Sequence, residues 1–239
     1  MKRPARQAAV PEQLTLRVKE KKGWGGKREG AGRKPGPKPG VRHRPRPALA
    51  ARHPVHVTLR TREHVWNLRS RRSFAAIEAA LHGIMPRPDF RVVHFSVQGN
   101  HVHLLVEAHG AAALTAGLKA LTGRISKHLN AMMAKHGAVF SDRYHAHALK
   151  TPREVRNALA YVLLNHRSHL ARLGQPCPAR GEADPYSSAA VFDGWSSGAL
   201  SPSAASATVL PLAAARTWLL ATGWRRHRLL SLDETPAAG

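Results

Sequence analysis

Cysteine occurs once in the 239 residues, at Cys177. A lone thiol excludes an internal disulfide framework and a cysteine zinc site, and it suits a reducing cytoplasm. Acidic residues are scarce as well: 14 Asp and Glu stand against 38 Lys and Arg, for a formal charge of +24. Such an excess of one sign points to a polyanionic partner, nucleic acid first. A membrane surface is the weaker alternative, because there is no apolar run of about 18 residues and no long amphipathic basic helix. RNA packing of the ribosomal kind is another alternative. No apolar stretch follows the basic N-terminus, which argues against a secretory signal. The 43% of hydrophobic residues is enough for a core, and the length suits one compact domain with tails.

The charge is uneven. Residues 1–52 hold 16 Lys and Arg against 3 acids, and include "GWGGKREGAGRKPGPKPGVRHRPRP". Gly and Pro at this density cannot form a packed helix or strand, so residues 1–52 read as a disordered basic tail. Within it Gly32–Pro35 loosely resembles an AT-hook, which would set Arg33 and Lys34 in a minor groove. The plainer reading is a solvated tail adding non-specific phosphate affinity.

Ordered structure is expected from His53. In "HPVHVTLR", Val55, Val57 and Leu59 alternate with His56, Thr58 and Arg60, the pattern of a half-buried strand. "REHVWNLRSRRSFAAIEAALHGI" follows with Val65, Leu68, Phe74, Ile77 and Leu81 at helical spacing. Strands are predicted over Phe90–Gln98 and His101–Ala108, joined by Gly99-Asn100, a two-residue hairpin signal. A helix is predicted from Ala111 to about His136, with Leu114, Leu118, Leu121, Ile125 and Leu129 on one stripe. Arg143–Lys150 reads as a fourth strand. Thr151, Pro152 and Glu154 form a capping signature for a helix to about Leu170. The order β-α-β-β-α-β-α predicts an α+β fold, a ferredoxin-like antiparallel sheet with helices on one face and one helix more. The domain is bounded at 53–172. Residues 173–239 form a partly ordered extension, whose "LPLAAARTWLLATGWRRHRLL" reads as a short amphipathic helix.

The chemistry concentrates in "GNHVHLLVE" (residues 99–107). Alternation puts His101 and His103 on one strand face with Leu105 and Glu107, and Val102, Leu104 and Val106 on the other. Same-face neighbours lie about 7 Å apart, so two imidazoles there can close on one divalent cation. Two partly exposed histidines on an open sheet face would show the same spacing. In "TPREVRNALAYVLLNHRSHL" the apolar stripe is Val155, Ala158, Leu159, Val162, Leu163 and Leu170. Tyr161 stands outside it, on a polar stripe with Glu154, Asn157 and Asn165. A tyrosine with an oxygen ligand one turn away, on a helix able to cover a His-x-His strand, makes a phosphoryl-transfer site. The metal would polarise the scissile phosphate and the hydroxyl would store the bond as a phosphotyrosine.

At these residues the chain resembles the single-tyrosine HUH transposases, more narrowly the IS-two-hundred-like and repeat-associated tyrosine transposases. "VHVTLR", "FSVQGNHVHLLVEA", "VFSDRYHAHAL" and "TPREVRNALAYVLLNHRSH" stand in the order of that family across His53–Leu170. The resemblance implies a DNA transposase that cleaves and rejoins single-stranded, hairpin-forming DNA with Mg or Mn. Tyr161 would be the nucleophile, and His101, His103 and Asn165 the metal ligands. The protein would be a cytoplasmic, nucleoid-associated monomer or homodimer, away from membranes. His166 stands where many repeat-associated members have Pro, and the long basic tail lies outside the minimal domain. A host-retained DNA-binding protein without turnover is the alternative. An RNA-binding module would normally show aromatics on the sheet face where this chain has histidines.

Other residues are weighed against these. Tyr144 is the rival nucleophile, or else closes the sheet or contacts DNA. Arg124, Lys127 and Arg143 are candidate phosphate contacts. His94 reads as a packed histidine, Asp142 as a turn residue or an arginine partner, and Glu107 as able to tune His103 or join the metal shell. Trp195, Trp218 and Trp224 read as packing residues, with an exposed one able to stack a base.

Overall fold

The computed structural model describes residues 48–85, 87–172, 174, 182–196 and 210–234. The expected minor-groove residues Arg33 and Lys34, and the tail up to residue 47, lie outside the described residues. Among the described residues, four strands and three long helices follow in the order β1 (Val55–Arg60), α1 (Arg71–His82), β2 (Phe90–Val97), β3 (His101–Ala108), α2 (Ala111–Met133), β4 (His145–Ala148) and α3 (Pro152–Arg172). The strands form one sheet in the order β2-β3-β1-β4, with every neighbouring pair antiparallel. This is the predicted ferredoxin-like, α+β arrangement.

The two faces of the sheet carry different residues because side chains alternate along each strand. Val55, Val57, Leu59, Phe90, Phe95, Val102, Leu104 and Val106 face α1 and α2 and form the larger core with Ile77, Leu81, Leu118, Leu121 and Ile125. On the other face Leu105 joins Val93 and the apolar stripe of α3, including Val155, Leu159, Val162 and Leu163. A β-bulge between Val92 and His94 lets both Val93 and His94 turn to this second face. α3 therefore covers the histidine face. Its start is the predicted capping box: Thr151 Oγ1 accepts from the Glu154 amide at 3.2 Å, and Glu154 Oε2 accepts from the Thr151 amide at 3.3 Å.

Three local expectations are corrected. Helix α1 begins only at Arg71, where Ser70 caps it through Ser73 N–H; residues 62–70 are turns despite the helical spacing of Val65 and Leu68. Strand β4 is four residues long, not eight. The short C-terminal helix is present but covers less of its stretch than expected: within residues 210–230 only Trp218–Ala221 (α4) is α-helical, followed by a 3₁₀ turn at Gly223–His227. The segment before α4 is held extended by other partners. Pro211 has no N–H to give a helix, the Ala213 amide bonds Val92 O, and the Arg216 and Thr217 amides bond the carboxylate of Glu107. Residues 182–196 pack back on the edge of β2, where Val97 N–H donates to Tyr186 O and Ser188 Oγ accepts from Phe95 N–H. Among the described residues no helix is long and apolar enough to cross a membrane.

Candidate active site

Antiparallel pairing of β1 with β3 sets Thr58 opposite His103 and Arg60 opposite His101. His56, Thr58 and Arg60 therefore share the histidine face. His103 is almost fully buried, at 3% exposure. Its Nδ1 lies 3.2 Å from Thr58 Oγ1 and 3.2 Å from His56 Nε2. Its Nε2 is buried with no hydrogen-bond partner. A neutral ring protonated at Nδ1 donates to those two neighbours and keeps the Nε2 lone pair free. The His101 ring stands perpendicular to that of His103, with centroids 4.7 Å apart, and its Nδ1 is 2.8 Å from Asn100 Oδ1.

Helix α3 presents one row of residues, spaced four apart, to these rings. The Tyr161 ring meets His103 edge-on at 5.1 Å and His56 at 5.6 Å. Two turns on, His169 is 5.6 Å from His101. Asn165 lies between the two contacts on the same row, buried, with an amide nitrogen that has no partner. His103 Nε2 is therefore a buried lone pair that no protein donor meets, whereas the unpartnered Asn165 atom is an N–H donor and calls for an acceptor.

Electrostatics keep the rings neutral. Burial, then the nearby His101, His56 and His169, push His103 down to about 2. Burial lowers His101 to about 4, with smaller effects from His169 and Arg60. His56 also falls to about 4, through burial first and then His145 and His147. A neutral imidazole is the form that ligates a metal. Among the described residues no three His, Cys, Asp or Glu side chains gather in a metal-holding cluster. The chain's own share would be the two histidines with the side-chain carbonyl oxygen of Asn165, leaving coordination positions open. The residues present fit a divalent ion held in that open manner.

The fold thus brings together His101, His103, Tyr161 and Asn165. It does not bring the other candidates there. Tyr144 packs on the opposite core, with its hydroxyl 3.3 Å from Thr115 Oγ1. Arg124 and Lys127 are exposed on α2, which covers the opposite face. Arg143 lies in the exposed loop before β4, where Asp142 Oδ1 accepts its amide. The reading of Glu107 as a partner of His103 is corrected. Its buried carboxylate binds Arg91 at 2.9 Å and the amides of Arg216 and Thr217. His94 Nδ1 lies 3.2 Å from Ser188 Oγ and its ring packs on Phe192. His56, Thr58, Arg60 and His169 were missed. The alternation of β1 carried the signal for the first three, but only the pairing with β3 aims them at His103.

Residues 51–163 match the profile of the family described as "Transposase IS200 like". No curated protein matches the chain in sequence. Among solved structures, a REP-associated tyrosine transposase bound to a REP hairpin is similar, with a TM-score of 0.47 and 14% identity over 62% of this chain and 82% of that one. A Deinococcus radiodurans R1 protein described as a transposase has a TM-score of 0.33 and 18% identity over 41% of this chain and 78% of its own. A bacterial tRNA(His) guanylyltransferase-like protein in complex with GTP has a TM-score of 0.39 and 12% identity over 55% and 73%. Over residues 51–163 the sequence matches the IS200-like transposase family, and the element order and sheet are those the resemblance implies.

Proposed function

We propose that the protein cleaves and rejoins single-stranded DNA through a covalent bond to Tyr161, as a DNA transposase. The observation that carries this reading is the Tyr161 ring set edge-on against His103, 5.1 Å away, beside the unpartnered Nε2 of that histidine. His101, His103 and Asn165 would hold Mg or Mn. The bound ion would supply charge neutralisation at the scissile phosphate. Tyr161 contributes the hydroxyl: its oxygen bonds to phosphorus as the bond from phosphorus to the leaving strand breaks. The phenol loses its proton and the departing deoxyribose oxygen gains one. One phosphodiester replaces another, so a second strand end can reverse the step without ATP. Thr58 and His56 hold the His103 ring, and Arg60 adds a cation at the mouth of the site.

The test uses labelled single-stranded hairpin DNA from the flanks of the gene, with Mg, with Mn and with chelator. A protein–DNA adduct on a denaturing gel is expected in wild type and in Tyr144→Phe, and not in Tyr161→Phe or with chelator. An adduct surviving in Tyr161→Phe would refute the assignment. Tight binding with no adduct in any protein would mean a DNA-binding protein on an idle site.

A further inference from the structure

The turns between β1 and α1 are not used by the chemistry above, and together with the ends of the two elements they join they concentrate positive charge. Residues 60–72 read "RTREHVWNLRSRR", with five arginines and one acid, Glu63. Arg69 is committed: it forms a two-pronged ion pair with Asp184 at 2.7 and 2.9 Å. Arg60, Arg62, Arg71 and Arg72 are exposed. Among them Trp66 is 44% exposed, and the guanidinium of Arg72 lies 5.7 Å from its ring centroid.

This exposure belongs to a fixed loop. Leu68 is buried in the main core. The Trp66 amide points at Met133 Sδ, 3.5 Å away, and Lys135 Nζ donates to His64 O at 3.1 Å. Either side of Trp66 the loop is bound to the turn that precedes His101. Thr61 N–H donates to Asn100 O, and Leu68 N–H donates to Gly99 O, both at 2.9 Å. Asn100 Oδ1 in turn contacts His101 Nδ1. The tryptophan therefore projects from a scaffold shared with the candidate active site.

A large aromatic left half in water costs hydrophobic free energy that burial would recover. With Arg72 beside its ring, exposed arginines close by in sequence and a pre-ordered loop beneath it, it has the components of a stacking platform: a π-face for a base and charges for the flanking phosphates. We propose that the β1–α1 loop is a binding site for unpaired nucleotides, with a base stacked on Trp66 and phosphates contacted by Arg62 and Arg71. The proposal rests on the reading of the protein as a single-stranded DNA enzyme and adds where the strand beside the scissile phosphate is held. Arg72 braces the ring, and a double helix, whose bases are already stacked, has no face to offer it.

The test measures binding by the full chain carrying Tyr161→Phe, so that the DNA stays intact. The probes are a labelled oligothymidylate of about 16 nucleotides and a blunt duplex of the same length. Adding Trp66→Ala is expected to weaken oligothymidylate binding by about 5- to 150-fold, the range for loss of one base–aromatic stack. Trp66→Phe is expected to restore most of the affinity, and duplex binding to stay unchanged. Arg62→Gln and Arg71→Gln are each expected to lower the slope of log Kd against log salt by about 0.7. Unchanged oligothymidylate affinity in Trp66→Ala would overturn the proposal, as would an equal loss on duplex. Failure of the wild type to form an adduct would defeat the strand-transfer reading and leave this binding result standing.

Discussion

His56 Nε2 lies 3.2 Å from His103 Nδ1, and the same His56 ring touches Tyr161. One side chain of β1 thus contacts both the candidate ligand and the candidate nucleophile. If His103 holds a metal, His56 acts through it as a positioning residue, taking part of the Nδ1–H hydrogen bond and fixing the ring. His56→Phe is expected to lower Mn affinity by about 10- to 100-fold, measured by isothermal titration. Adduct formation should recover largely at saturating Mn. Equal Mn affinity in the variant and the wild type would show that the contact is only packing.

Glu107 has no part in the candidate site and a large part in stability. Its carboxylate is fully buried, neutralises Arg91 and accepts the amides that lead into α4. Glu107→Ala removes one partner of a buried pair and takes the acceptor from four N–H donors, two of Arg91 and the amides of Arg216 and Thr217. A loss of about 3–5 kcal/mol is expected in urea unfolding. Glu107→Gln keeps one acceptor and should lose less. If residues 210–234 resist protease equally in wild type and Glu107→Ala, the carboxylate does not hold that segment.

Two glycines of α2 predict opposite signs. A Cβ at Gly117 would meet the Phe90 ring at 2.1 Å, so Gly117→Ala overpacks the main core and should cost about 1–3 kcal/mol. A Cβ at Gly123 meets nothing within 4 Å, so Gly123→Ala should stabilise by about 0.5–1 kcal/mol through helix propensity alone. Thermal denaturation of the pair checks both. The same sign for both substitutions would contradict this packing of α2 on Phe90.

Acid should destabilise the fold through His94. Burial lowers this histidine from 6.5 to about 4, against a smaller opposing pull from Asp193. Between those values the unfolded chain binds the proton and the folded chain does not, so stability falls as pH drops from about 6.5 to 4 and is level above. The loss from this residue is on the order of 3 kcal/mol at most. His94→Asn keeps a polar atom near Ser188 and cannot titrate, so its melting temperature should fall less steeply over that window. An identical acid limb would remove His94 as a cause.

Local patterns of sequence determined β1, β2, β3, α2, α3 and the capping box at Thr151, because each depends on residues within a few positions of one another. Alternation alone put His101 and His103 on one face, and helical spacing alone set Tyr161 and Asn165 on one row. The same local logic failed where distant partners compete. Leu68 and Val65 have helical spacing, but the bond from Leu68 N–H to Gly99 O holds their segment as turns and exposes Trp66. Glu107 looked like a neighbour of His103 along the strand, yet the backbone of residues 216 and 217 captured it. Only the tertiary structure decided which tyrosine faces the histidines and that His56 and Thr58 grip His103. Those relations depend on strand pairing and on which sheet face each helix covers. Both are set by burial of whole apolar surfaces, which no short stretch of sequence encodes.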